Sequence, residues 1–153
     1  MSISPITLRL PTSEDTNKLG QTLARFARLG DCILLRGDIG AGKSAVARAF
    51  IRQLLGPDTE VPSPTFTLVQ VYDLPNGEIW HTDLYRLTDT SEAVELGLIE
   101  AFEEAICLIE WPEILGDMVP KDALDIHLEA RPDGHLATLT FGENWATRPE
   151  VSS

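Results

Sequence analysis

The sequence has little cysteine and no long apolar run. Cys32 and Cys107 are its only cysteines, and each lies in a short apolar stretch, DCILL and AICLIEW. Two such residues do not make a disulfide framework, so they predict buried free thiols in a reducing compartment. No apolar stretch reaches the ~18 residues of a membrane span, and MSISPITLRLPTSED lacks the pattern of a signal peptide. We therefore expect a cytoplasmic protein that does not use a membrane.

Basic residues are also scarce. The chain has 12 Lys and Arg against 24 Asp and Glu, a net charge of −12 at pH 7. Residues 1–53 carry a net charge of +4, and residues 54–153 carry −16. Tight nucleic-acid binding commonly uses about 6–10 phosphate contacts. This supply of cations argues against stable direct binding of tRNA or DNA, so any role with tRNA would be indirect. The acidic half is either a solvated surface or a docking face for a basic partner.

The chain shows no internal repeat and no linker, and its length suits a single domain covering 1–153. We expect an ordered core over about residues 5–143 and a frayed end over 143–153. Hydrophobic periodicity and turn residues predict three single strands (6–10, 32–37, 105–111), three helices (11–30, 43–56, 90–105), a proline-rich loop (57–66) and two hairpins (67–85, 123–141). We expect Thr12 or Ser13 to begin the first helix, Gly30 to end it, and Ser91 to begin the third. Helices between strands predict an α/β fold with a mainly parallel central sheet and added antiparallel strands.

The stretch LLRGDIGAGKSAVARAF contains the spacing G-x-x-x-x-G-K-S. It follows a predicted strand and opens a predicted helix, which is the context that a phosphate-binding P-loop requires. Glycines allow a tight turn that brings backbone N–H groups onto phosphate oxygens, and the helix N-terminus adds partial positive charge. The pattern predicts a P-loop NTPase-like three-layer sandwich. Its nucleotide-binding residues are Gly37, Asp38, Ile39, Gly40, Ala41, Gly42, Lys43, Ser44 and Ala45.

Mg²⁺ bound with the nucleotide needs oxygen ligands, and three residues are candidates to supply them. The Ser44 hydroxyl is the first, because it follows the P-loop lysine. Glu110 ends a buried apolar strand, and Asp83 ends the second strand of the first hairpin. His81 lies two residues before Asp83, so both side chains should project from the same face of that strand. His127 and His135 are expected at exposed strand positions.

The identity of the nucleotide follows from missing motifs. The only N-K dipeptide, in NKLG (17–20), precedes the P-loop and lacks the Asp of an N-K-x-D guanine-reading motif, and no D-x-x-G switch is present. ATP is therefore favoured. A small-molecule kinase remains an alternative, although only Arg86, Arg131 and Arg148 follow Arg52 to grip an acceptor. A nucleotide-sensing adaptor that does not hydrolyse ATP is the second alternative.

Five motifs in this order carry a resemblance to a known family. They are GDIGAGKS (37–44), SPTFTLVQVY (63–72), HTDLYRL (81–87), ELGLIE (95–100) and LIEWPE (108–113). Over about residues 8–142 the chain resembles the TsaE (YjeE) family of bacterial P-loop ATPases. The resemblance implies an accessory ATPase that is required for threonylcarbamoyladenosine at the adenosine beside the tRNA anticodon. It implies that the TsaB–TsaD complex is the partner and that ATP hydrolysis resets this complex between turnovers.

The resemblance also implies roles for individual residues. Lys43, Thr65, Asp83 and Glu110 would be catalytic, with Thr65 in a switch-like loop formed by SPTFT (63–67). Ser44 and Glu110 would hold Mg²⁺; the family often has Thr at the first position, and the hydroxyl is kept here. Trp111 would pack near the site, and Arg86 would meet a phosphate, a partner or an acid in a surface ion pair. No arginine finger is evident in the sequence, so we expect slow hydrolysis by the chain alone.

Overall fold

The computed structural model describes residues 5–142 and Trp145. Strands and helices alternate along this part of the chain, as the sequence predicts. The strands are β1 (Ile6–Leu10), β2 (Cys32–Arg36), β3 (Val69–Leu74), β4 (Gly77–Asp83), β5 (Ile106–Glu110), β6 (Leu124–Arg131) and β7 (Gly134–Thr140). The helices are α1 (Ser13–Phe26), α2 (Lys43–Leu55), α3 (Thr90–Glu95), α4 (Leu98–Glu104) and a 3₁₀ helix (Pro112–Met118).

The seven strands form one mixed sheet in the order β1-β7-β6-β2-β5-β4-β3. The four central strands β6, β2, β5 and β4 are parallel to one another. Antiparallel pairing adds β3 to one edge and β7 and β1 to the other. The predicted mainly parallel sheet with antiparallel additions is confirmed, and it places the carboxyl ends of β2, β4 and β5 at one edge, where α/β proteins bind ligands.

Two apolar cores lie on opposite faces of the sheet. The first packs α1 and α2 against one face, and the second packs α3, α4 and the 3₁₀ helix against the other. Along β5, Ile106 and Leu108 belong to the first core, whereas Cys107 and Ile109 belong to the second. This alternation confirms a three-layer sandwich, and it directs Glu110 to the face that α2 covers. Both cysteines are buried free thiols, as predicted.

Helix α1 begins at a capping box. The Thr12 hydroxyl accepts a hydrogen bond from the Asp15 backbone, and the Asp15 carboxylate accepts one from the Thr12 backbone. The prediction that Gly30 ends the helix is wrong, because α1 ends at Phe26 and Gly30 (φ +92°) lies in the turn before β2. There its N–H donates to the Ala105 carbonyl, which joins this turn to the start of β5.

The helix predicted over 90–105 is two helices. Gly97 interrupts it with a left-handed backbone (φ +90°) and becomes the N-cap of α4. The predicted cap Ser91 is also wrong: Asp89 is the N-cap of α3, and its carboxylate accepts a hydrogen bond from the Ser91 backbone. Two short helices therefore cover the second face of the sheet in place of one long one.

The frayed end predicted over 143–153 falls outside the described residues except at Trp145. That side chain is 1% exposed and belongs to the first core. In the described part of the chain no helix has the length and apolar character to cross a membrane.

Candidate functional site

The loop between β2 and α2 forms the floor of a cavity of about 370 Å³ at the carboxyl edge of the sheet. Its lining brings together residues that the sequence predicts at the site and that come from four separate segments of the chain: Ile39, Gly40, Gly42, Lys43, Ser44, Ala45, Thr65, Asp83, Glu110 and Trp111. Gly37, Asp38 and Ala41 complete the loop and face an adjoining cavity. A cavity of about 550 Å³ between α1 and α2 contains none of the predicted site residues.

Glycine is required at two places in this loop. Gly37 has φ +140°, and a Cβ there would collide with the Leu128 carbonyl of β6. Gly42 has φ +106° and is the N-cap of α2, which no side chain caps. The first N–H groups of α2 therefore point into the loop without a side-chain acceptor, which is the arrangement that binds anions at helix N-termini.

Lys43 lies over the loop in a confined position. Its ammonium donates hydrogen bonds to the carbonyls of Gly37 and Asp38 and lies 4.1 Å from the centre of the Trp111 ring. The residue is 5% exposed. Burial lowers the pKa of the Lys43 ammonium, and nearby carboxylates, Glu110 first, partly offset this. Lys43 is a cation held at the site by weak acceptors that a phosphate can replace.

Glu110 connects α2 to the centre of the sheet. Its two carboxylate oxygens lie 3.0 and 3.2 Å from the Ser44 hydroxyl, which donates to them. The second oxygen also lies 2.6 Å from Nε2 of His81. Glu110 is 3% exposed and His81 is 1% exposed. The predicted pair of Ser44 and Glu110 is therefore in direct contact, although 66 positions separate them.

Asp83 lies beside Glu110, because the two residues are paired in register at the ends of β4 and β5. One of its carboxylate oxygens accepts a hydrogen bond from the Tyr85 backbone at 3.0 Å, and the other accepts one from the Thr65 hydroxyl at 3.4 Å. The Thr65 hydroxyl also lies 2.6 Å from that of Ser63. The structure thus brings Thr65 of the predicted switch-like loop to the acidic edge, through a hydrogen bond near the distance limit.

The donor set fits a magnesium ion. A hydroxyl and two carboxylates converge at the P-loop, and Mg²⁺ prefers such hard oxygen ligands. In the described chain neither Asp83 nor Glu110 forms an ion pair with Lys or Arg within 4.0 Å. Among these residues no three His, Cys, Asp or Glu side chains are grouped so that they could hold a metal ion. The site therefore fits an ion that shares its ligands with phosphate and water rather than one held in an all-protein cage.

Sequence reasoning missed three residues at the site. It placed His81 on the same face as Asp83 but did not assign its contact with Glu110. Tyr85 was not considered, yet its ring lies 4.7 Å from that of Trp111, which covers Lys43. His135 was expected at an exposed position, but it is partly buried and its Nε2 lies 3.3 Å from the Gly40 carbonyl of the loop. Arg86 lies over the Phe66 ring, 5.5 Å from its centre.

Comparison with known proteins gives a consistent result. A family model described as threonylcarbamoyl adenosine biosynthesis protein TsaE matches residues 10–136, a span that contains every predicted site residue. A tRNA threonylcarbamoyladenosine biosynthesis protein TsaE from Rickettsia conorii is 41% identical over 121 residues, which cover 79% of this chain and 69% of that protein. Its Bacillus subtilis namesake is 36% identical over 126 residues, or 82% and 78% of the two chains. The crystal structure of Bacillus subtilis YdiB matches with a TM-score of 0.76 and 28% identity, over 94% of this chain and 89% of that one.

Proposed function

The chain belongs to the TsaE family, and we propose that it is an ATPase accessory protein in the biosynthesis of tRNA threonylcarbamoyladenosine. The family and the curated relatives carry the names of that biosynthesis. One observation supports the ATPase role most: the Ser44 hydroxyl contacts both oxygens of Glu110 directly beneath the P-loop, with Lys43 alongside. A hydroxyl, a buried acid and a lysine at one loop are the parts that Mg-ATP hydrolysis uses.

Each residue has a task in this proposal. The backbone N–H groups from Gly37 to Ala45 would bind phosphate oxygens. Lys43 would exchange the carbonyls of Gly37 and Asp38 for the β- and γ-phosphates. Ser44 and Glu110 would hold Mg²⁺, which when bound supplies neutralisation of the phosphate charge. Asp83 and Thr65 would orient the attacking water, since both face the cavity and contact each other. Catalysis would then depend on positioning and charge stabilisation.

Two features favour dependence on a protein partner. Among the described residues no arginine lines the phosphate cavity, so the cavity has no arginine that could stabilise the transition state alongside Lys43. Large apolar side chains on the surrounding loops are exposed to solvent, Ile39 at 79%, Phe66 at 83% and Tyr85 at 57%. Ile39 lines the phosphate cavity, Phe66 follows Thr65 of its lining, and the Tyr85 ring packs against Trp111 of its lining. Exposed apolar surface around a binding cavity commonly marks an interaction site. We propose that the TsaB–TsaD complex docks here and orders the switch-like loop, and that tRNA is held by this partner rather than by the acidic chain.

The experiment is phosphate release from Mg-ATP by the purified chain, measured alone and with TsaB–TsaD. We expect a low rate alone, a higher rate with the complex, and no release by Lys43→Ala in either case. Equal rates with and without the complex would refute partner stimulation. Transfer of phosphate to a small acceptor would identify a kinase instead. ATP binding with no turnover under any condition would identify a nucleotide-sensing adaptor.

A further inference from the structure

His81 is a buried polar residue to which the proposed chemistry gives no task. It lies on β4, two residues before Asp83, and is 1% exposed. Its Nε2 lies 2.6 Å from the Glu110 Oε2 atom, which is itself buried. A buried imidazole with a carboxylate is expensive to desolvate, and apolar residues of similar volume commonly replace such pairs without loss of stability. Stability alone therefore gives little reason for a histidine at this position.

The contacts of Glu110 indicate what His81 does. Among the described residues the Glu110 carboxylate has hydrogen bonds to two side chains, Ser44 and His81. If the Ser44 oxygen turns toward a metal, its hydrogen bond to Glu110 weakens and His81 becomes the remaining side-chain restraint. The bond from His81 fixes Oε2 and thereby sets the direction in which Oε1 points.

The contacts of the His81 ring indicate which of its nitrogens carries a proton. An ionised carboxylate only accepts hydrogen bonds, so Nε2 of His81 carries a proton when Glu110 is ionised. Nδ1 is buried and has no hydrogen-bond partner among the described residues. In the described structure the ring is therefore oriented through a single polar contact, the one to Glu110.

We infer that His81 is a positioning residue for the Mg²⁺ that accompanies the nucleotide, acting through Glu110. The inference rests on the proposed function, in which Ser44 and Glu110 hold that ion. Groups that hydrogen-bond a metal ligand without touching the metal typically change metal affinity by about 10–100-fold when they are removed. The same effect is expected here on the part of nucleotide affinity that depends on Mg²⁺.

The test compares ADP binding by isothermal titration calorimetry in Mg²⁺ and in EDTA, for the wild type and four variants. His81→Met has similar volume but no donor, and should lose about 10–100-fold of the Mg²⁺-dependent gain in affinity while keeping the affinity measured in EDTA. His81→Gln places an amide N–H near the position of Nε2 and should retain most of the gain. His81→Asn is too short to reach Glu110 and should behave as His81→Met, which also covers failure of the Met variant to fold. Glu78→Met, at the exposed start of the same strand β4 and outside the lining of the phosphate cavity, is the control and should leave both affinities unchanged.

The outcomes separate the inference from the function on which it rests. If Mg²⁺ raises the ADP affinity of the wild type, and raises that of His81→Met and His81→Asn by the same factor, the inference is overturned and the proposed function stands. Equal losses in Mg²⁺ and in EDTA indicate a purely structural role and overturn it as well. Absence of any Mg²⁺-dependent gain in the wild type overturns both.

Discussion

Replacement of Lys43 by Met should separate the binding role of this lysine from its role in stability. Lys43 is 5% exposed; its ammonium donates hydrogen bonds to the carbonyls of Gly37 and Asp38 and lies over the face of the Trp111 ring. Met loses those contacts but also removes the cost of burying a charge. Because these effects oppose each other, we expect the free energy of unfolding without nucleotide to change by no more than about 1 kcal/mol.

The effect on ATP binding should be much larger. Two charge-assisted bonds to phosphate at about 1.5 kcal/mol each give about 3 kcal/mol, or about 100-fold in affinity. ATP at 100 times its wild-type Kd stabilises the folded state by about 2.7 kcal/mol, which corresponds to a rise of about 5–11 °C in the melting temperature for a chain of this size. At the same concentration Lys43→Met would be half-saturated. ATP would then stabilise the variant by about 0.4 kcal/mol, which corresponds to a rise of about 1–2 °C in its melting temperature.

The assay is thermal unfolding with and without Mg-ATP, followed by circular dichroism. Lys18→Met removes the same charge from an exposed position on α1 and should keep the full ATP-dependent shift. A full shift in Lys43→Met would refute the assignment of the phosphate site. A loss of several kcal/mol without nucleotide would refute the claim that the lysine is held there for binding.

Two further predictions concern the fold. Gly20→Ala should destabilise the protein by about 1–2 kcal/mol in urea unfolding, although Ala has the better helix propensity. The new methyl group would lie 2.6 Å from the Val46 carbonyl oxygen of α2 and must push the two helices apart. A variant more stable than the wild type would contradict this packing. Burial raises the pKa of the Cys107 thiol from 9.0 to about 12, so its contribution to stability is complete below pH 9 and is lost as the pH rises toward 12. The wild type should therefore lose stability above pH 9 more steeply than Cys107→Ala, by up to about 1.4 kcal/mol per pH unit, and parallel urea midpoints would show the argument to be wrong.

The position of the glycine-rich loop between a strand and a helix could be predicted from the sequence because its determinants are local. Gly37, Gly42 and Lys43 act within eight residues of one another, and the flanking strand and helix follow from short apolar patterns. Glu110 was found for the same reason, as the acid that ends a run of buried residues. The hairpin between β3 and β4 was also predictable, because its turn is encoded by Pro75, Asn76 and Gly77.

Contacts between distant segments could not be predicted in this way. His81 and Glu110 meet because β4 and β5 pair in one particular register, and neither strand specifies that register alone. The helix break at Gly97 was missed because a glycine within a helical pattern is commonly tolerated, and here tertiary packing decides between a kink and a new helix. Asp89 was missed as a cap because Thr90 and Ser91 are also acceptable helix starters, and only the backbone conformation selects among them.

The most direct test of the central claim is phosphate release from Mg-ATP with and without the TsaB–TsaD complex, for the wild type and for Lys43→Ala. An accessory ATPase predicts slow release alone, faster release with the complex, and none from the variant. Release that persists in Lys43→Ala, or that is the same with and without the complex, would contradict it.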